Sequence, residues 1–301
     1  MVSVLMITYN HEKYIRKAIE GVLMQNTNFP VELIIANDAS NDRTDIVIRQ
    51  YIKNHPKEDI VKYFSHESNL GMMSNFIFAF EQCKGHYVAM CEGDDYWTDP
   101  YKLQKQVDFL EANTDYTLCF HQVEILEDRL FRISDLNESD NEETFCISDL
   151  AKRNFIHTPS VVFKNGLINF PSWFLKSPVG DYPIHMFNAA HGKIKYFPQL
   201  MAVYRVHTGG VWSLKNPVEQ IVQFKWLIDK LDKYFNFKYH KEFYNQPFVN
   251  RLYDCQLNYY KKERNFLKYF GVLTQYLKNK KSANQSLGYF ILRARQYFYK
   301  K

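Results

Sequence analysis

The sequence predicts an α/β protein with a mixed, mostly parallel sheet flanked by helices and a helical C-terminal appendage. Within the first 115 residues, short apolar runs of strand type alternate four times with segments of helical periodicity. This alternation is the pattern of β-α units joined by right-handed crossovers. From about residue 217 onward the strand pattern stops and only helical segments follow.

The first half of the chain supplies the four β-α units. Its predicted strands are Val2 to Ile7, Val31 to Ala36, Ile60 to Phe64 and His86 to Cys91. Apolar residues at helical spacing predict helices from Ile15 to Leu23, from after Asp42 to about Lys53, from Met72 to Gln82 and from Pro100 to Glu111. Parallel strands share one edge at their carboxyl ends, so the residues that follow them should lie close together.

The second half continues the sheet with less regular spacing. Tyr116 to Phe120 predicts a strand that runs into a hairpin through Gln122 to Ile133, and the acidic segment Ser134 to Thr144 predicts an exposed flexible loop. The remaining predicted elements are strands at Val161 to Phe163, Ile194 to Phe197 and Met201 to Val206, and a helix beginning near Ile184. Gly209-Gly210 predicts a loop that closes over a site.

The composition excludes several classes of protein. Apolar residues make up 46% of the 301 residues, which is normal for a globular protein with a core. The five cysteines have neither CxxC nor Cys/His spacing, so the sequence predicts no zinc site and no disulfide framework. The sequence contains no run of about 18 apolar residues and no targeting segment, so we expect a cytoplasmic protein, or one bound peripherally at the inner face of the cell membrane.

The charge is distributed unevenly along the chain. Residues 221–301 carry 17 Lys and Arg against 5 Asp and Glu, a net charge of +12, whereas residues 1–220 carry 21 against 28, or −7. The basic, aromatic tail, with segments such as Asn265 to Leu277 and Leu287 to Tyr299, fits a peripheral membrane surface or an amphipathic bundle with a solvated face. It contains no recognised nucleic-acid module, and we expect no nucleic-acid partner.

Three acidic residues follow the fourth predicted strand in the sequence Cys91-Glu92-Gly93-Asp94-Asp95-Tyr96-Trp97. Buried, adjacent carboxylates are unfavourable unless a cation or a donor compensates them. A divalent metal that carries a phosphorylated ligand would do so, while a solvated acidic turn before a helix is the simpler alternative. The chain has no GxGxxG after its first strand and no GxxxxGK[ST], which disfavours a dinucleotide fold or a P-loop and leaves phosphate neutralisation to a metal.

Other polar residues follow the remaining strands, and each has a structural alternative. Asn10, Ser40 and Asn41 fit helix N-cap positions, and a cap is the favoured interpretation for Ser40, Asn41 and Asp42 taken singly. Asp181 is either the N-cap of the helix near Ile184 or a catalytic carboxylate. Four polar clusters at four neighbouring strand ends nevertheless favour one shared ligand crevice.

Four segments in this order resemble the family 2 nucleotide-sugar glycosyltransferases with the GT-A fold. They are Ser3 to Asn10, Asn37 to Thr44, Asn69-Leu70-Gly71 and Glu92 to Trp97. The resemblance covers residues 1 to about 213. It implies a glycosyltransferase domain at 1–215, with a nucleotide-binding half at about 1–115 and an acceptor half at 116–215, followed by a helical basic and aromatic region at 216–301.

The resemblance also implies roles for individual residues. Those for the nucleotide sugar are Thr8, Tyr9, Asn10, Asp38, Asn69, Gly71, Glu92, Gly93 and Asp94, with Glu92 standing where Asp is commoner. Those for a divalent metal, Mn²⁺ or Mg²⁺, are Asp94, Asp95 and His207. Asp181 matches the catalytic base, and the acceptor side is implied at Trp97, Thr158 and Ser160.

The implied activity is inverting transfer of a sugar from a nucleotide diphosphate sugar, with a UDP-sugar favoured. The acceptor would be a hydroxyl of a glycan or of a lipid-linked molecule in surface polysaccharide synthesis, of the capsule or O-antigen kind. The chemistry needs a cation to offset charge on the leaving diphosphate and a base for the acceptor hydroxyl. The alternatives are a sugar nucleotidyltransferase and a non-catalytic nucleotide-sugar-binding protein.

Overall fold

The computed structural model describes residues 1–53, 55–135, 139–210, 217–245, 247–262 and 265–282. The chain divides into two compact units. The first consists of Met1–Ile147 with Phe155–Leu214, and the second of Ser148–Asn154 with Lys215–Lys301.

The first unit contains a ten-stranded sheet. Its strands are β1 (Val2–Thr8), β2 (Val31–Asn37), β3 (Val61–Ser65), β4 (Tyr87–Met90), β5 (Tyr96–Trp97), β6 (Tyr116–Glu127), β7 (Leu130–Ile133), β8 (Glu143–Phe145), β9 (Val162–Lys164) and β10 (Lys193–Val206). Its helices are α1 (Ile15–Leu23), α2 (Thr44–Ile52), α3 (Met72–Glu81), α4 (Lys102–Ala112) and α6 (Asp181–Ala189). The helix between the last two, α5 (Ile147–Lys152), lies almost wholly in the second unit. Short 3₁₀ turns occur at Glu58–Ile60, Thr158–Ser160 and Ser172–Lys176.

The sheet is mixed, with the order β3-β2-β1-β4-β9-β6-β10-β5, and β7 and β8 pair with β6 and β10. The longest ladders are parallel: β1 pairs with β2 and β4, β2 pairs with β3, and β6 pairs with β10. β9 lies between the two parallel groups and joins them, because it pairs with β4 on one side and with β6 on the other. Both of these pairings are antiparallel. The predicted mixed, mostly parallel sheet is therefore confirmed.

Burial explains why the parallel strands could be recognised in the sequence. All seven residues of β1 are buried, and so are all four of β4, because helices cover both faces of a parallel sheet. A strand that is buried on both faces is almost continuously apolar, so the first polar residues after it mark the point where the strand ends. The chain leaves the sheet at Thr8, Asp38 and Glu92, which places these residues near one edge.

Four details of the predicted elements are wrong. The two strands expected between Ile194 and Val206 are one strand, β10, with register shifts between Phe197 and Ala202. The loop expected at 134–144 includes the start of β8, which pairs with β10; residues 136–138 lie outside the described residues. The helix expected near Ile184 begins three residues earlier, at Asp181, and the two-residue strand β5 was not predicted.

The described part of the second unit is helical, as the sequence predicts. Its remaining helices are α7 (Pro217–Tyr234), α8 (His240–Tyr244), α9 (Pro247–Lys262) and α10 (Phe266–Ser282). Tyr269, Leu273 and Tyr276 form the buried stripe of α10, and the Tyr276 ring lies 4.9 Å from that of Tyr253 on α9. This packing supports the amphipathic-bundle interpretation for Asn265 to Leu277, whereas Leu287 to Tyr299 lies outside the described residues. Among the described helices, none has both the length and the apolar character needed to cross a bilayer.

Candidate active site

The loops that follow β1 and β2 are joined by side-chain hydrogen bonds. The Asn10 backbone N–H donates to Oγ of Ser40 at 2.9 Å, and the Asn41 N–H donates to Oδ1 of Asn10 at 2.8 Å. Asn41 Nδ2 also donates to the hydroxyl of Tyr9 at 3.2 Å. Asn10 has a φ of 58°, a left-handed conformation that Asn tolerates better than most residues.

These contacts correct the N-cap interpretation. The residues at the N-caps of α1 and α2 are Tyr14 and Arg43, and neither helix has a side-chain cap. Asn10, Ser40 and Asn41 instead bond across the two loops, over about thirty residues of sequence. Asp42 does both: its Oδ2 accepts the Glu12 N–H across the loops at 3.0 Å, and its Oδ1 accepts the N–H of Thr44, the first residue of α2, at 2.9 Å. The first two strand ends are thus held as one surface.

Asp38 fixes the third loop to the same surface. It is 2% exposed, and its two carboxylate oxygens accept the N–H groups of Leu70 at 2.7 Å and Gly71 at 2.9 Å. Asn69 Nδ2 donates to the Asp38 carbonyl at 3.1 Å, and the Asp38 N–H donates to the Thr8 carbonyl at 3.0 Å. The predicted nucleotide-binding residues of three strand ends therefore form one connected structure, in which Asp38 supports the Asn69–Gly71 loop.

The acidic cluster lies at the fourth strand end, directly after β4. Oδ2 of Asp94 lies 3.0 Å from Nε2 of His207 and 3.7 Å from Nε2 of His11. Oδ1 of Asp94 is buried and has no hydrogen-bond partner among the described residues. Asp95 points elsewhere: its Oδ1 accepts the Arg205 N–H at 2.8 Å.

The electrostatics of this cluster favour an added positive charge. Burial, followed by the charges of Asp94 and Asp181, raises the pKa of Glu92 to about 8. Burial and the charge of Asp94 also raise the pKa of Asp95 well above its ordinary value. Burial acts on Asp94 in the same direction, but the His207 hydrogen bond and the His11 charge outweigh it and lower the pKa of Asp94. Burial thus shifts Glu92 and Asp95 toward their neutral forms, whereas Asp94 is held in its charged form, and a bound cation would favour the charged form of all three.

His11, Asp94 and His207 form what we call the His–Asp cluster. Each offers one ligand atom, and these atoms lie within 4.8 Å of one another. A carboxylate and two imidazoles can ligate a divalent metal, and the partnerless Oδ1 of Asp94 is consistent with one. The cluster thus contains two of the three predicted metal ligands, Asp94 and His207, while Asp95 is not part of it.

Sequence reasoning missed His11 and three residues that surround the His–Asp cluster. The Arg205 guanidinium donates to the Asp94 carbonyl and lies 4.4 Å from the centre of the Tyr96 ring. The Tyr14 ring lies 4.6 Å from that of His207. Two signals in the sequence could have found them: His11 directly follows Thr8-Tyr9-Asn10, and Arg205, near the end of β10, lies two residues before His207.

Asp181 is the first residue of α6, and the N-cap position belongs to Gly180, so the N-cap interpretation of Asp181 is wrong. Oγ1 of Thr158 donates to Oδ2 of Asp181 at 3.5 Å. The charge of Asp181 contributes to the raised pKa of Glu92, so Asp181 is electrostatically coupled to the acidic cluster. The predicted base and a predicted acceptor-side residue are therefore in contact.

Trp97 and Ser160, the other residues predicted on the acceptor side, are buried. Trp97 is 2% exposed and donates its Nε1–H to the Pro159 carbonyl at 2.8 Å. Ser160 is 0% exposed and donates to the His157 carbonyl at 2.6 Å. Both side chains hold the 3₁₀ turn that carries Thr158, and their burial does not support a direct contact with an acceptor.

Comparisons with known proteins agree on the kind of domain. Residues 3–172 match the model of glycosyl transferase family 2. An uncharacterized protein of Mycobacterium tuberculosis is 38% identical to this chain over 212 residues, which cover 70% of this chain and 60% of that protein. The chain thus spans about 60% of the length of this curated relative.

Two solved structures share the fold. TarS of S. aureus, residues 1–349 in complex with UDP-GlcNAc, has a TM-score of 0.67 at 17% identity, covering 92% of this chain and 81% of TarS. The mannosyltransferase PcManGT from Pyrobaculum calidifontis, in complex with GDP-Man and Mn²⁺, has a TM-score of 0.54 at 14% identity, covering 100% and 88%. The predicted GT-A fold is confirmed, and because the family model matches more than half of its residues, the chain belongs to glycosyl transferase family 2.

Proposed function

We propose that this protein transfers a sugar from a nucleoside diphosphate sugar to an acceptor hydroxyl by a single, inverting displacement. The observation that carries the proposal is the placement of Asp181. Its carboxylate accepts a hydrogen bond from Thr158 and is coupled to Glu92, which follows the same strand as Asp94 of the His–Asp cluster. This chemistry requires a carboxylate that can take the acceptor proton and a cation site for the diphosphate.

The donor would bind against the connected loops at the strand ends. Thr8, Tyr9 and Asn10 offer polar groups at the end of β1, and the loop of Asn69 and Gly71, held by Asp38, offers a second edge. Tyr9 is 38% exposed and Asp38 is 2% exposed. We therefore expect Tyr9 to contact the nucleoside, and Asp38 to act mainly by holding the Asn69–Gly71 loop in place.

The phosphates of the donor would face the residues that follow β4. A Cβ on Gly93 would lie 2.6 Å from Oγ1 of Thr8, so a glycine there lets the backbone pass close to the end of β1, where its N–H donates to the Ile7 carbonyl at 3.0 Å. Asp94 and His207, the two predicted metal ligands that the His–Asp cluster contains, would hold a divalent cation, Mn²⁺ or Mg²⁺. When bound, that cation supplies the positive charge that offsets the developing charge of the leaving diphosphate.

Asp181 would act as the general base for the acceptor hydroxyl. The Thr158 hydroxyl donates to Oδ2 of Asp181 and orients the carboxylate at the start of α6. Such a base contributes about 10²- to 10⁴-fold to the rate. The proton leaves the acceptor oxygen as that oxygen attacks the anomeric carbon from the side opposite the diphosphate, which inverts the configuration.

Finer assignments follow from the relatives and from the charge of the chain. A UDP-sugar is the favoured donor, since TarS, which has the same fold, was solved with UDP-GlcNAc. A glycan or lipid-linked acceptor of a surface polysaccharide suits the +12 charge of residues 221–301, which would attract the chain to an anionic membrane as a peripheral protein.

The test begins with the nucleotide. Thermal unfolding is followed with UDP, GDP, dTDP and CMP, each with Mn²⁺ or Mg²⁺, because a nucleotide that binds the folded state raises the melting temperature. The matching sugar nucleotide is then incubated with oligosaccharide and lipid-linked acceptors, and NMR assigns the anomeric configuration of the product. No shift with any nucleotide, or a product with retained configuration, would contradict the proposal.

Two variants test the base. Asp181→Asn should lose about 10²- to 10⁴-fold in transfer rate while its nucleotide affinity stays close to that of the parent protein. Thr158→Val, which removes only the orienting hydroxyl, should lose less. Transfer by Asp181→Asn at the parental rate would show that another group takes the proton.

A further inference from the structure

We propose that His11 is a third protein ligand of the cation, and that the His–Asp cluster therefore prefers a first-row transition-metal dication to Mg²⁺. This inference rests on the proposed function for the purpose of the cation. Cation binding itself requires neither the donor nor the acceptor, so it can be measured separately.

The distances in the cluster suit a shared ion. Nε2 of His11 and Nε2 of His207 approach the same atom, Oδ2 of Asp94, at 3.7 and 3.0 Å, and all three ligand atoms lie within 4.8 Å of one another. Ligand atoms about 2.0–2.2 Å from one ion lie about 3–4 Å apart, so only small movements separate this arrangement from a coordinated one. The three side chains are between 12% and 17% exposed, which leaves the cluster accessible to an ion from solvent.

The hydrogen bonds of the two imidazoles distinguish their roles. Nδ1 of His11 lies 3.2 Å from Oγ1 of Thr8, a contact in which either group can be the donor; when the neutral imidazole donates its Nδ1 proton to the hydroxyl, the Nε2 lone pair is left for a metal ion. Nδ1 of His207 instead accepts the Gly209 backbone N–H at 3.1 Å, so Nε2 of His207 carries its own hydrogen. His11 can therefore bind an ion through Nε2 while it keeps its contact with Thr8, whereas His207 must exchange tautomers and give up the Gly209 bond before it can bind an ion through Nε2.

Two further features hold His11 in this position. A Cβ on Gly93 would lie 2.6 Å from Oγ1 of Thr8 and 3.0 Å from Nδ1 of His11, so the glycine leaves the space in which these side chains meet. The His11 backbone N–H donates to Oγ1 of Thr44 at 2.8 Å, which fixes the main chain at this residue. A positioned imidazole 3.7 Å from Oδ2 of Asp94, whose other oxygen is buried without a partner among the described residues, is the geometry of a ligand set.

The donor atoms determine which ion is preferred. Mg²⁺ binds oxygen ligands and keeps several waters, whereas imidazole nitrogen favours transition metals, with affinities that rise from Mn²⁺ to Co²⁺. A site with two carboxylates, as the sequence predicts from Asp94 and Asp95, would discriminate less. Two imidazoles and one carboxylate should give affinities in the order Mg²⁺, Mn²⁺, Co²⁺, from weakest to strongest.

The experiment measures metal binding to the full chain in the absence of any nucleotide. Titration calorimetry with MgCl₂, MnCl₂ and CoCl₂ gives the affinity order, and pulsed EPR of bound Mn²⁺ counts the coupled imidazole nitrogens. His11→Ala should weaken Mn²⁺ and Co²⁺ binding by at least about tenfold, the lower limit for losing even an outer partner of a ligand. Mg²⁺ binding should change much less, and His191→Ala, which removes an exposed histidine, should match the wild type.

Several outcomes would overturn the inference. The first is that His11→Ala binds Mn²⁺ as tightly as the wild type, and the second is that His11→Ala loses equal affinity for Mn²⁺ and Mg²⁺. The third is that Mn²⁺ bound to the wild type couples to fewer than two imidazoles, and the fourth is that the wild type binds no Mn²⁺. Melting temperatures measured without metal show whether His11→Ala folds. If it does not fold, the number of imidazole nitrogens coupled to Mn²⁺ in the wild type still decides whether His11 is a ligand. Normal Mn²⁺ binding without sugar transfer would contradict the proposed function and leave the role of His11 intact.

Discussion

The backbone N–H of Arg205 donates to Oδ1 of Asp95 at 2.8 Å and holds this carboxyl outside the His–Asp cluster. Asp95 is 1% exposed, and its Oδ2 has no partner among the described residues. Burial and the charge of Asp94 raise the pKa of Asp95 well above its ordinary value. Asp95 acts here as an acceptor that joins the end of β4 to β10.

Substitution by Asn distinguishes the roles of the two neighbouring acids, because an amide oxygen can accept the Arg205 N–H in place of the Asp95 carboxyl. Asp95→Asn retains an oxygen for the Arg205 N–H and should bind Mn²⁺ nearly as well as the wild type. Asp94→Asn removes the charged ligand and should lose at least about tenfold in affinity. Calorimetric titration of both variants is the measurement, and an equal loss in both would establish Asp95 as a ligand, as the sequence predicts.

Gly71 should be required for nucleotide binding through its backbone. Its φ of 85° and ψ of 150° lie in a region that only glycine adopts readily, and its N–H donates to Oδ2 of Asp38. Gly71→Ala should therefore cost about 1–3 kcal/mol in the free energy of unfolding. Because the strain is relieved by moving the loop from Asp38, nucleotide affinity measured by calorimetry should fall as well.

Gly166 provides the matched control. It has a φ of 81° and, like Gly71, open space where a Cβ would be added. Gly166→Ala should lose comparable stability in urea denaturation while the protein binds the nucleotide normally. Equal nucleotide affinities in the two variants would show that the Asn69–Gly71 loop does not contact the nucleotide.

Much of the fold was predictable because the parallel strands are buried on both faces. β1 and β4 are therefore continuous apolar runs that end where the site begins. The two-residue β5 was missed because it exists only through pairing with Ala202 and Val203 of β10. The start of β8 was likewise missed, since it pairs with a strand about fifty residues later and its own sequence is polar.

The site was predictable where its residues belong to local motifs, and not where distant segments meet. Asp94, Asp181 and His207 were identified, and the structure brings the first and last together. His11 was missed because its role depends on the end of β1 meeting β10, almost two hundred residues later. The N-caps were wrong for the same reason, since Asn10 and Ser40 bond across loops rather than to their own helices.

Gly93 should be required for the Thr8–His11 contact. An added Cβ would lie 2.6 Å from Oγ1 of Thr8 and 3.0 Å from Nδ1 of His11, so Gly93→Ala must displace both side chains. We expect weaker Mn²⁺ binding in calorimetric titrations. Gly180→Ala is the control. Gly180 precedes Asp181 in the sequence, and an added Cβ there would make only an ordinary contact of 3.5 Å with the Met73 side chain. Mn²⁺ affinity equal in the two variants would contradict the role of the Thr8–His11 contact.

His185 should make the protein sensitive to acid. It is 0% exposed on α6, and neither ring nitrogen has a hydrogen-bond partner among the described residues. Burial lowers the pKa of His185 from 6.5 to about 3. Between these values the unfolded state binds a proton that the folded state does not, so stability is lost as the pH falls from about 6.5 toward 3.

His185→Leu removes this titration and two buried polar atoms without partners. Each pKa unit corresponds to about 1.4 kcal/mol in the free energy of unfolding. Between pH 7 and pH 5 the stability of the variant relative to the wild type should therefore rise by about 2 kcal/mol. Urea denaturation at both pH values measures the gain. His191→Leu, an exposed histidine just after the same helix, should leave the pH dependence unchanged. If His185→Leu and the wild type lost the same stability between pH 7 and pH 5, the prediction would be wrong. His185 would then have to be protonated in the folded state, or in contact with water that the burial of its side chain does not indicate.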